Sequence, residues 1–135
     1  MEALRVHDQT TLPPDRAQQA LDLQPFLGKW RKTNHDPQWL HGFEIAARGD
    51  KLVVHAFGDE DSPGDWGTST ADALFANAID STTGAGFMAT YELDSMTCTL
   101  QGNVNLGLLV VACFTTFRDG SGRSDCFTRE FFHHA

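Results

Sequence analysis

A chain of 135 residues has room for one domain, since single cores form at about 100–200 residues and too little remains for a second. Its 41% hydrophobic and 21% charged residues are ordinary for a folded protein, with no apolar run long enough for a membrane helix and no low-complexity tract. Ten basic against eighteen acidic residues leave a net charge of −8, which repels phosphate backbones and anionic lipid, so neither nucleic acid nor a membrane surface is expected as a partner.

Residues 1–24 are polar and carry Pro13-Pro14 ahead of a run of good helix formers, Asp15 to Leu21, which predicts an arm with a short helix. The start, Met1 to Asp8, lacks the basic patch and apolar run of a secretory signal, so the expectation is a cytoplasmic protein. Residues 25–135 form the domain proper. There, short runs of β-branched and aromatic residues alternate with Gly, Asp, Asn, Ser and Pro about every ten residues, the signature of an all-β sandwich or barrel.

Eight strands are predicted, at about 27–34, 42–48, 51–58, 65–72, 85–93, 96–104, 107–118 and 124–133. An even number with short links suits an up-and-down antiparallel β-barrel. The stretch 71–80 is rich in Ala, Leu and Asn and loses alternation, so a helical segment is the competing reading there.

Turn chemistry at Gly49-Asp50, Asp94-Ser95 and Asp119 to Gly122 predicts three hairpins. A two-residue turn at Asp94-Ser95 pairs Tyr91 with Cys98, Ala89 with Leu100 and Phe87 with Gly102 on an apolar face. The turn at Gly49-Asp50 pairs Ile45 with Val54 and Phe43 with Ala56, and sets Glu44 opposite His55 on the other side. Leu108 to Phe114 is apolar on both faces, which calls for an outer cover, either the N-terminal helix or a second subunit in a homodimer. Three cysteines, Cys98, Cys113 and Cys126, show no metal-type spacing and read as buried free thiols.

The run Phe26-Leu27-Gly28-Lys29-Trp30 resembles the Gly-x-Trp opening of lipocalins, avidins and related calycin barrels. The longer stretches Val54 to Gly58, Asp65-Trp66-Gly67 and Phe117 to Asp125 are similar to small uncharacterised bacterial lipocalin-like proteins. The resemblance covers most of residues 26–133. It implies an eight-stranded barrel floored by Trp30, with Arg129 packed on that tryptophan. It also makes Lys32, two residues after the Trp, a candidate ligand contact. It implies no particular activity.

An eight-stranded barrel either fills with side chains or holds one small ligand. Alternation from Trp30 points Lys32 and Asn34 into the cavity. A lysine in an apolar barrel has its charged form disfavoured and suits a base, a carbonyl-polarising donor or a Schiff-base amine. The plainer alternative is that Lys32 reaches water or pairs with a carboxylate, Glu130 or Glu92. His55 opposite Glu44 is a candidate general base, against the alternative of an exposed cross-strand pair. The links 34–41 and 58–65 form the mouth, where His35, Asp36, His41, Asp59, Glu60, Asp61 and Asp65 read as solvated groups and not as a metal site. Trp39 and Trp66 there either lid a ligand or cap the core.

The reading is a small-molecule-binding barrel, leaning to a cofactor-independent cyclase or isomerase of secondary metabolism. Lys32 and His55 are the candidate catalytic residues. Trp30, Asn34, Trp39, Trp66, Tyr91, Phe114, Arg129 and Glu130 are the candidate binding residues, and no metal or cofactor is expected. The alternative is a carrier or scavenger of a small hydrophobic ligand.

Overall fold

The computed structural model describes residues 21–34, 39–58 and 64–135, and the predicted arm and its helix lie almost wholly outside them. Among the described residues the helical content is one 3-10 turn, Gln24–Phe26, opened by Pro25. The rest is β: β1 (Gly28–Lys32), β2 (Leu40–Arg48), β3 (Lys51–Gly58), β4 (Asp65–Thr70), β5 (Ala73–Ala76), β6 (Gly84–Glu92), β7 (Met96–Asn105), β8 (Leu108–Phe117) and β9 (Cys126–His134). No helix among these residues is long and apolar enough to cross a membrane.

All nine strands belong to one antiparallel sheet, ordered β4-β3-β2-β1-β9-β8-β7-β6-β5. Sequential strands pair except β4 and β5, and the first pairs with the last. The sheet curls into a half-barrel, and its edges are consecutive pieces of one stretch, β4 lying on β3 and β5 on β6. Ala71 N–H donates to Leu52 O at 2.8 Å and the next residue, Asp72, donates to Met88 O at 2.7 Å, so the chain passes from one edge to the other between them. The count is therefore nine strands and not eight. The stretch 73–76 is strand and not helix, because Leu74 packs against the core and pairs with Phe87.

Register follows the turns. Gly49, with φ +66°, closes the β2–β3 hairpin and aligns Ile45 with Val54 and Phe43 with Ala56. The Asp94-Ser95 turn aligns Tyr91 with Cys98 and Phe87 with Gly102. Gly102 is dictated by that pairing, since a Cβ there would lie 2.3 Å from the Phe87 ring. A further hairpin turn at Leu106-Gly107 has positive φ at both residues, 53° and 80°.

Period-two alternation then sorts the side chains. The concave face buries Trp30, Phe43, Ile45, Leu52, Val54, Phe87, Leu100, Leu109, Val111 and Phe132. The convex face of β8 and β9 leaves Phe114 (42% exposed), Phe127 and Phe131 exposed, with no described strand or helix packed over them. The outer cover expected for Leu108 to Phe114 is thus absent among the described residues. Antiparallel order puts the C-terminal ends of β1 and β3 and the links 93–95 and 118–125 at one end of the sheet. The turns at Gly49-Asp50 and Leu106-Gly107 fall at the other, the floor.

Candidate functional site

The floor is closed by aromatic packing with its polar groups satisfied. Trp30 is buried and its indole N–H donates to Phe26 O at 2.9 Å. Phe26 meets Phe87 edge-on at 5.8 Å. The ring stacked on Trp30, centroids 3.8 Å apart, is that of His134. Arg129, expected in that place, instead lies on the convex face with its guanidinium 5.6 Å from the Phe131 ring. The reason is parity: Phe132 is the buried aromatic of β9, so Arg129 and Phe131 must point outward.

Two residues beyond Trp30, Lys32 is buried on the concave face, where its ammonium lies 3.1 Å from Glu130 Oε1 with the side chains 4% and 13% exposed. Glu92, the other carboxylate considered for it, is on the convex side and binds Arg118 Nη1 at 2.6 Å and Thr97 Oγ1 at 2.7 Å. Those contacts hold the Glu92 carboxyl below its usual range. Asn34 is exposed beyond the end of β1.

At the loop end Trp39, Trp66, Tyr91 and Phe117 meet edge-on, with centroids 6.3 Å apart for Trp39–Trp66 and for Trp39–Phe117, and 5.5 Å for Trp66–Tyr91. Trp39 is held at φ +31°, a left-handed conformation costly for a bulky residue. Trp66 is 5% exposed and its indole Nε1 has no hydrogen-bond partner among the described residues. The Tyr91 hydroxyl accepts from Ala56 N–H at 3.2 Å and lies 2.8 Å from both the Val54 and Gly67 carbonyls, donating to one at a time. It ties β6 to β3 and β4 across the seam, and burial pushes its pKa up to about 12. Beneath this aromatic group lie Cys98, Cys113 and Thr115, all buried. The remaining cysteine, Cys126, is exposed, contrary to the expectation of three buried thiols.

His55 is on the opposite face. Its Nε2 is 2.6 Å from Asp65 Oδ1 and its ring stacks on Phe57 at 4.3 Å. The Asp65 carboxyl is held below its usual range, first by His55 and then by Gly67 N–H. Glu44 is the cross-strand neighbour of His55, as predicted. Lys32 and His55 therefore do not share a cavity. Phe114 is likewise convex, and Arg129 helps line a convex groove of about 380 Å³ between Phe75, Met88, Gln101 and Val110.

Of the sequence candidates, then, the fold gathers Trp39, Trp66 and Tyr91 at the loop end and Lys32 with Glu130 deeper on the same face. It sends His55, Phe114 and Arg129 to the other side. The Cys98–Cys113–Thr115 group was missed as a cluster, although the Leu106-Gly107 turn sets Cys98 opposite Thr115. The described residues hold no group of three or more His, Cys, Asp or Glu side chains suited to a metal ion. No family model, curated protein or solved structure matches the chain.

Proposed function

We propose that the protein is a calycin-type barrel that takes a small, largely apolar carbonyl compound at its loop end and acts on it as a cofactor-free isomerase or cyclase. The observation that carries this reading is the buried Lys32–Glu130 pair on an otherwise apolar face. Removing two charges from water costs several kcal/mol each, by order of magnitude, and an apolar pair of similar volume is often as stable. A group so costly to keep is explained by use.

The ammonium of Lys32 is a donor able to polarise a carbonyl, and the Glu130 carboxylate 3.1 Å away is a base able to take a proton from the neighbouring carbon. Proton removal and return at different carbons moves a double bond or closes a ring without any cofactor. Trp39, Trp66 and Tyr91 supply the apolar walls that would hold a flexible substrate in one shape. The buried Trp66 N–H, which has no partner among the described residues, adds a donor that a ligand oxygen would satisfy.

The test has two parts. The purified protein is titrated with uncharged cyclic ketones, reading tryptophan fluorescence, and incubated with unsaturated ketones, looking by chromatography for products of equal mass or minus water. Quenching with turnover that Lys32→Met and Glu130→Gln abolish, while circular dichroism is unchanged, is the expected result. Turnover untouched by both substitutions would remove the assigned roles. Quenching with every ketone returned unaltered would leave a carrier.

A further inference from the structure

The groove on the convex face is built by two outward rows of side chains that cross the sheet in register. One row runs Phe75, Gly86, Asn103, Val110 and Phe131 over β5 to β9. The other runs Met88, Gln101, Ala112 and Arg129 over β6 to β9. Each row dips at a small residue, Gly86 in the first and Ala112 in the second, and the hollow left between the taller walls measures about 380 Å³. Neighbouring strands lie about 4.8 Å apart, so β6 to β9 spans roughly 14 Å, room for a two-ring compound with an acid group.

The walls are apolar and one end is charged. Phe75 is exposed at one side of the hollow, and at the other the Arg129 guanidinium lies 5.6 Å from the ring of exposed Phe131. Arg129 enters no ion pair among the described residues, whereas Arg118 and Arg123 each hold a carboxylate, at 2.6 Å and 2.7 Å. The acid next to it in β9, Glu130, is turned to the concave face and paired with Lys32. In a chain of net charge −8, a guanidinium without a carboxylate, set at the end of an aromatic hollow, is complementary to an apolar anion.

We infer that this groove binds a flat aromatic monocarboxylate, with its carboxylate on Arg129 and its rings over Gly86 and Ala112. The class follows from the lining. A guanidinium is a planar fork that meets a carboxylate through two parallel hydrogen bonds, and its one charge offsets one charge. A phosphate dianion would keep an unbalanced charge beside an acidic protein. Gly86 and Ala112 give rings close access to the sheet, Phe75, Met88 and Val110 give them apolar contact, and Gln101 and Asn103 offer amides to polar substituents. The groove is on the opposite face from Trp39 and Trp66, so the inference stands apart from the ketone reading.

The experiment titrates the full chain with naphthoate and follows the side-chain amide signals of Gln101 and Asn103 by NMR. Both should shift and saturate together, with the indole signals of Trp39 and Trp66 unmoved. Arg129→Gln should weaken binding by about tenfold or more, the worth of a charge-assisted hydrogen-bonded pair, and Arg129→Lys should recover only part of that loss. Ala112→Leu, at an outward position, should fill the hollow and abolish binding while circular dichroism is unchanged. A Cβ at Gly86 would lie 3.4 Å from Gly102 O and 3.8 Å from Phe75 Cβ, ordinary contacts, so Gly86→Ala should weaken binding in a folded protein. Naphthalenemethanol, alike in shape but uncharged, should bind wild type no more tightly than naphthoate binds Arg129→Gln. Absence of a saturable shift, equal affinity of wild type and Arg129→Gln, or tighter binding of naphthyl phosphate overturns the inference. Naphthoate that moves the Trp39 and Trp66 signals and leaves both amides still also overturns it, and assigns the guest to the loop end instead.

Discussion

The two ends of the sheet use the same residue type in opposite ways. At the floor, the Trp30 indole donates to Phe26 O at 2.9 Å, stacks on His134 and leaves nothing unsatisfied. At the loop end, Trp66 is also buried but its N–H has no partner among the described residues, and its neighbour Trp39 is held in a strained backbone conformation. Buried polar groups are normally paired, and one left unpaired costs about 1–3 kcal/mol. The floor indole is satisfied within the fold. The loop end carries a donor left open among the described residues and backbone strain, which the proposed guest molecule would use, and the buried ion pair lies on the same concave face.

Substitution should separate these roles, with the largest effects at the floor and in the ion pair. Trp30→Ala opens a cavity and strands the Phe26 carbonyl, so about 3–5 kcal/mol should be lost in denaturant unfolding. Glu130→Leu removes the carboxylate 3.1 Å from the buried Lys32 ammonium, a loss of up to about 3–5 kcal/mol. Adding Lys32→Met should recover that loss or leave the double variant about 1–4 kcal/mol more stable than wild type. A double variant as unstable as the single would show that the pair is structural, and the contrast between the two ends would lose its centre.

Smaller effects should follow at the loop end. Tyr91→Phe removes the hydroxyl that serves Ala56 N–H and the Val54 and Gly67 carbonyls, and about 1–3 kcal/mol should be lost, with faster amide exchange at Ala56. Trp66→Phe deletes a donor that has no acceptor among the described residues, so its cost should stay within about 1 kcal/mol while ketone quenching weakens. If Trp66→Phe proved as damaging as Trp30→Ala, the loop end would be part of the structural core after all.

Much of this was legible in the chain because side-chain parity is fixed once a turn is known. The turns at Gly49-Asp50 and Asp94-Ser95 gave the register of two hairpins residue for residue, and Trp30 gave the direction of Lys32. The last strand resisted because both of its faces carry aromatics, Phe127 and Phe131 on one and Phe132 on the other, so alternation could not choose between Arg129 and Glu130. The fourth predicted strand concealed a change of partner between Ala71 and Asp72, which is a property of the curled sheet and not of local sequence. The thiol group at Cys98 and Cys113 needed three strands in register and lay beyond any single hairpin.

Acid offers the mildest test of the same contrast. The floor turns at Gly49-Asp50 and Leu106-Gly107 rely on backbone geometry. The 118–125 link at the loop end is held by a charge: Asp119 accepts from Ser121 N–H at 3.0 Å and from Arg123 Nη2 at 2.7 Å. The Ser121 side chain first, and then these two contacts, lower the Asp119 pKa from the model-compound 3.8 to about 2. Because the folded value is depressed, the ordering it provides is complete above the ordinary carboxylate range and is lost as pH falls through the folded value. The backbone amide shift of Ser121, followed by NMR from neutral pH downward, should therefore titrate with a midpoint near 2, and amides flanking Gly49 should not move with it. A midpoint at the ordinary aspartate value would mean that the link is not held by this carboxylate, and that the loop end differs from the floor in its aromatics alone.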